Sequence, residues 1–78
     1  MRVIGLRKVD FKATDGSLIQ GLSIYVTFPI EKDGTGDAAD KLFLSSSKVE
    51  IMDQLPQVGD DIEVTYNRWG KVDKIFIK

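Results

Sequence analysis

The chain has 78 residues, no cysteine, no histidine and a formal net charge of −1. That length supports one domain, residues 1–78, with one core that buries roughly 60–65% of the surface an unfolded chain exposes. The missing residue types exclude disulfides and thiolate metal sites, and they remove the commonest general base and the commonest metal ligand.

Taken in chain order, residues 2–13 mix Val, Ile, Leu and Phe with charges. Ile4 and Leu6 share one parity, while Val9, Phe11 and Ala13 share the other. A change of inward side predicts a bulge or bend, and Gly5 lies close to the slip. Thr14-Asp15-Gly16-Ser17 reads as a hairpin turn. Residues 18–30 alternate, with Leu18, Leu22, Ile24, Val26, Phe28 and Ile30 on one face and Ser23, Tyr25 and Thr27 on the other. Residues 31–40 hold two glycines and four acids without periodicity, which predicts a mobile loop.

Lys41–Ser45 reads as a short strand with Leu42 and Leu44 inward and Phe43 outward. Ser47-Lys48-Val49-Glu50 has the capping-box spacing and predicts a short helix through Leu55, stopped by Pro56. Val58-Gly59-Asp60-Asp61 turns the chain into a strand over 62–66. Asn67-Arg68-Trp69-Gly70 is a hairpin tip, with Gly70 suited to the left-handed region. A last strand covers 72–77. The order β-β-β-α-β-β predicts an all-β fold, a five-stranded OB-type Greek-key barrel with its helix between strands 3 and 4. Leu22, Ile24, Val26, Leu42, Leu44, Ile62 and Val64 are expected to line its core.

Met1–Gly5 starts on a strand-like pattern with no apolar h-region, so no signal peptide is expected. No run approaches the ~18 apolar residues of a membrane span. A soluble, cytoplasmic protein is the expectation.

The charge is unevenly spread. Residues 1–12 carry a local +3, and residues 64–78 another +3. Residues 31–40 sum to −3 and residues 49–63 to −5. Basic ends with acidic connectors allow one positive face on a near-neutral protein.

No catalytic constellation appears, because Ser45-Ser46-Ser47 has no histidine to activate it. Asp60-Asp61 reads as a solvated turn. Asp33, Asp37 and Asp40 do not match the alternate-ligand spacing of a calcium loop, and Gly34-Thr35-Gly36 lacks the flanks of a phosphate-binding loop. The protein is therefore expected to be no enzyme and to use no metal or cofactor. The informative feature is aromatic placement. Tyr25 and Phe43 lie on the polar sides of neighbouring strands, and exposed aromatics there can stack on unpaired bases. Trp69 sits at a hairpin tip between Arg68 and Lys71, where it can stack, meet a partner or fold back over the domain.

Three segments carry a resemblance: Gln57-Val58-Gly59-Asp60-Asp61-Ile62-Glu63-Val64, Tyr66-Asn67-Arg68-Trp69-Gly70-Lys71-Val72 and Leu22-Ser23-Ile24-Tyr25-Val26. With them the chain resembles small OB-fold proteins of phages and Gram-positive mobile elements. In size and layout it is similar to the helix-destabilising, single-stranded-DNA-binding proteins of filamentous phages, which are dimeric OB barrels. It departs from them in its lower basicity and in the acidic segment 31–40.

The expectation is a non-catalytic binder of single-stranded nucleic acid, DNA first. Tyr25, Phe43 and Trp69 would stack on bases, and Arg7, Lys8, Lys41, Arg68 and Lys71 would contact phosphates. The alternative is a protein-interaction module or a small barrel subunit of a phage or mobile-element assembly, in which the same aromatics anchor a partner. A homodimer is expected, because an exposed tryptophan and free strand edges are costly to leave bare.

Overall fold

The strands and the helix follow in the order β1 (Arg2–Lys12), β2 (Leu18–Pro29), β3 (Asp37–Ser45), α1 (Ser46–Glu50), β4 (Ile62–Tyr66) and β5 (Val72–Ile77). This computed structural model describes residues 1–52 and 54–78. None of the described helices is long and apolar enough to cross a membrane.

The element order matches the sequence expectation; the closed barrel does not form. The strands make two antiparallel sheets, β1-β2-β3 and β4-β5. What joins them is a short stretch at the start of β1. There Arg2 bridges Asp61. Around it the Val3 N–H donates to the Asp60 carbonyl (2.9 Å), and the Ile62 N–H donates to the Met1 carbonyl (2.7 Å). No ladder joins β3 to β5. At the first residue of β5, the Lys48 ammonium donates to the Val72 carbonyl, taking with a side chain a group that a strand ladder would use. Barrel closure needs an unbroken circuit of ladder bonds at a consistent tilt. Here β1 spends its length on β2, and the short β4 and β5 pair with each other instead of bridging β1 to β3.

The core lies between the inner faces of the two sheets. Val3, Leu22, Ile24, Val26, Leu42, Leu44, Ile62 and Val72 are buried, and Val49 of α1, Met52 and Val64 pack against them. All but Val64 of the expected core residues are fully buried, and Val64 is half-buried. Each such side chain contributes about 1.5–3 kcal/mol of apolar transfer free energy.

Three local expectations need correction. The slip expected close to Gly5 is present, between Val3 and Gly5, but it precedes Leu6 instead of falling between Leu6 and Val9. Val3 therefore turns inward, Ile4 is exposed, and Leu6 faces inward opposite Ile24. Val9 and Phe11 consequently lie on the outer face, not the inner one. The acidic segment is also shorter as a loop than expected, since β3 already begins at Asp37. The ladder of β2 runs through Pro29 and gives Asp37–Asp40 their partners. The remaining loop closes with the Ile30 N–H on the Gly36 carbonyl (2.9 Å), and Asp33 holds a positive φ of 58° within it. Finally, the capping box at Ser47 does not form. β3 runs straight into α1, so Ser45 is the N-cap, in extended geometry and without a side-chain capping bond. Ile51 is the C-cap. The helix ends at Glu50 and does not reach Leu55 as expected: Ile51, Met52, Gln54 and Leu55 are not helical, and Asp53 lies outside the described residues.

Candidate nucleic-acid interface

Antiparallel pairing places opposed residues on the same face. The register therefore writes the outer face of the three-stranded sheet as rows. Gly5, Tyr25 and Lys41 form one row, and Arg7, Ser23 and Phe43 the next. Val9, Gly21 and Ser45 follow, then Phe11 opposite Ile19. No carboxylate has this parity between the row of Gly5 and that of Phe11.

Two glycines shape the surface. A Cβ on Gly21 would stand 2.6 Å from Phe43 Cζ, so that ring occupies the space a side chain at 21 would fill. A Cβ on Gly5 would stand 3.5 Å from Tyr25 Cδ2, so this ring leans over the other glycine. Both aromatics lie across the sheet from their own strand toward the next. Phe43 keeps 40% of its surface exposed and Phe11 keeps 52%. Arg7, Phe11, Ile19, Tyr25, Lys41 and Phe43 line a shallow groove of about 530 Å³ over this face. Among the described residues, neither Arg7 nor Lys41 is engaged in an ion pair. Ring faces and free cations on one water-facing surface are what unpaired bases and phosphates require.

Lys8 lies outside these rows, although it reaches the wall of the same groove. It pairs with Leu22 and has the inward parity, near Val49 and Glu50 of α1.

The β4–β5 hairpin presents the other expected residues. Its tip is organised by Asn67, whose Oδ1 accepts from the backbone N–H groups of Trp69 (2.9 Å) and Lys71 (3.0 Å). Gly70 supplies the left-handed residue at φ 76°, and its N–H donates to the Asn67 carbonyl (3.0 Å). Trp69 does not fold back: it is 69% exposed, and the Arg68 guanidinium lies 4.6 Å from its ring centroid. A second groove of about 530 Å³ separates this hairpin from β3. Lys41, Phe43, Tyr66 and Lys71 are among its walls. Arg68 and Trp69 line neither groove.

Sequence reasoning missed Phe11, Ile19, Lys48 and Tyr66. Phe11 was legible once the bulge was put at Ile4, because the parity then carries it to the face of Tyr25. Tyr66 sits beyond a second register slip, between Thr65 and Tyr66, which alternation alone does not reveal.

Two acids reach the grooves: Asp10, of inward parity opposite Gln20, lines the one over the outer face, and Asp40 lines the one beside the hairpin. Asp33 lies in the loop before β3, and Asp37 pairs with Pro29 at the end of the sheet remote from Phe11. Asp40 bonds locally, its Oδ1 accepting from the Lys41 N–H (2.7 Å). Comparison with known proteins finds no family model that matches the chain, and no curated protein or solved structure that matches it significantly.

Proposed function

We propose that this chain is a non-catalytic, largely sequence-neutral binder of single-stranded nucleic acid, single-stranded DNA in the first place, acting in a reducing compartment such as the cytoplasm. The observation that carries the reading is the outer face of β1-β2-β3, where Phe11, Tyr25 and Phe43 share one surface with Arg7 and Lys41, and Asp10 is the one carboxylate among the described residues lining its groove. Bases stack on the rings whatever their identity, and the cations release counterions from the phosphates. Arg68, Trp69 and Lys71 extend the basic-aromatic character to the second hairpin.

The test is a titration of the protein with labelled oligo-dT and with its duplex, at low and physiological salt. Saturable binding to the single strand, weaker for duplex and weakened by salt, is expected. No binding to oligo-dT at low salt and high protein concentration sinks the reading.

One observation favours a second reading, a protein-interaction module. Trp69 stands exposed with Arg68 stacked on it, and Trp and Arg are the residues that most often anchor protein interfaces. A chain that ignores oligo-dT but self-associates through Trp69 would support it.

A further inference from the structure

The groove between β3 and the β4–β5 hairpin is not explained by stacking on the outer face. Three lysines reach its walls: Lys41 from β3, Lys48 from α1 and Lys71 from the hairpin. Asp40 is the one carboxylate among its described lining residues, and its Oδ1 is already engaged by the Lys41 N–H. Lys48 gives one hydrogen bond to the Val72 carbonyl. An ammonium has three donors, so two remain for a ligand. Tyr66, 49% exposed, lines the same groove. Lys41 and Phe43 belong to both grooves, so the two surfaces are continuous and turn a corner at β3.

We propose that this inter-sheet groove binds the phosphodiester backbone of the same single strand as it leaves the outer face, with Lys48 and Lys71 on a phosphate and Tyr66 against a base. The inference rests on the nucleic-acid reading above. A strand that stacks on Tyr25 and Phe43 and runs off the edge of β3 meets three cations and a half-exposed ring. The tie from Lys48 to Val72 holds the hairpin near β3, so Lys48 both positions this wall and faces the ligand.

The experiment compares oligo-dT of about four and about twelve nucleotides, lengths that bracket short and long single-strand sites. It uses the full chain and reads fluorescence anisotropy over a salt series. Tyr66→Ala is expected to weaken the longer strand by about 5- to 160-fold, the range for one lost stack, and to leave the shorter within about twofold. Lys48→Gln and Lys71→Gln should each shrink the log–log salt slope by about 0.7 on the longer strand only. Lys48→Arg should restore the slope. Tyr25→Ala should weaken both lengths.

If Tyr25→Ala weakens both lengths while Tyr66→Ala and Lys48→Gln leave the longer strand at wild-type affinity and slope, this site is refuted and the outer-face reading stands. Equal weakening of both lengths by Tyr66→Ala, in protein with unchanged circular dichroism, also refutes it. Should Tyr66→Ala fail to fold, the exposed Lys71→Gln decides by its slope. Failure of the wild-type chain to bind either length removes the underlying reading as well.

Discussion

At Gly21 the strand has no side chain, and the ring of Phe43 lies in the space left open. A methyl group there would meet the Leu44 carbonyl oxygen at 2.3 Å as well as Phe43 Cζ at 2.6 Å. The ring can swing away, but the backbone oxygen cannot without disturbing β3. Gly21→Ala is therefore expected to cost about 1–3 kcal/mol, the usual range for overpacking, and to displace Phe43. Gly5→Ala meets only Tyr25, at an ordinary 3.5 Å, and should be near neutral. Urea unfolding of the two variants compares them, and equal midpoints would contradict the close approach at Gly21. The binding surface separates in the same residue-by-residue way. Tyr25→Ala or Phe43→Ala should cost about 1–3 kcal/mol of affinity for oligo-dT with the salt slope unchanged, because no phosphate contact is lost. Arg7→Gln or Lys41→Gln should shrink the slope by about 0.7 per contact. A salt series on each variant separates the two behaviours, and a slope that falls for Tyr25→Ala would contradict stacking.

Among the elements, the two hairpins show how a turn is written into sequence. Ala13 to Ser17 and Asn67 to Lys71 use the same plan, with a glycine at positive φ fourth in each, Gly16 at 91° and Gly70 at 76°. In the first hairpin Asp15 holds the turn. Its Oδ1 accepts from the Ser17 hydroxyl (2.6 Å) and from the Ser17 N–H (2.9 Å). These bonds favour the carboxylate and lower the Asp15 pKa, the hydroxyl contributing most and the backbone N–H next. A carboxyl lowered in the folded state stabilises the fold above its ordinary pKa, and that contribution is lost as pH falls through the lowered value. Thermal melting followed from about pH 6 down to about pH 2 should therefore show a steeper acid loss for the wild type than for Asp15→Asn. Parallel curves would remove the turn from the acid response. α1 follows a different logic. Without a capping side chain and with only the residues Ser46–Glu50, it stands by Val49 packing on the core, since so short a helix is not stable by itself.

For the whole molecule, two sheets meet along one short seam at Met1–Val3 and Asp60–Ile62, and the side toward β3 and β5 stays open. Unpaired strand edges and an exposed indole invite a second copy. We expect a dimer by sedimentation equilibrium at tens of micromolar, lost on Trp69→Ala. A monomer mass throughout that range would show that the open edge is tolerated as it stands.

Alternation by itself determined the buried places of Leu22, Ile24, Val26, Leu42, Leu44 and Ile62, though not of Leu18 and Ile30, which are exposed. It also determined the order of strands along the chain and the outward placement of Tyr25 and Phe43, because a period of two is a local property of the chain. The glycines at 16 and 70 marked their turns for the same reason, since a positive φ is a demand on one residue. Which strands would pair was not local. Whether β5 joins β3 depends on strand lengths, on the tie from Lys48 to Val72 and on how far β1 is committed to β2, and each of these spans residues far apart in sequence. A bulge close to Gly5 was legible in the change of parity, but its place ahead of Leu6, which decides the face of Phe11, is fixed only by pairing with β2. The groove that unites Lys41, Lys48, Tyr66 and Lys71 exists only because the two sheets do not close, and no stretch of sequence holds that information.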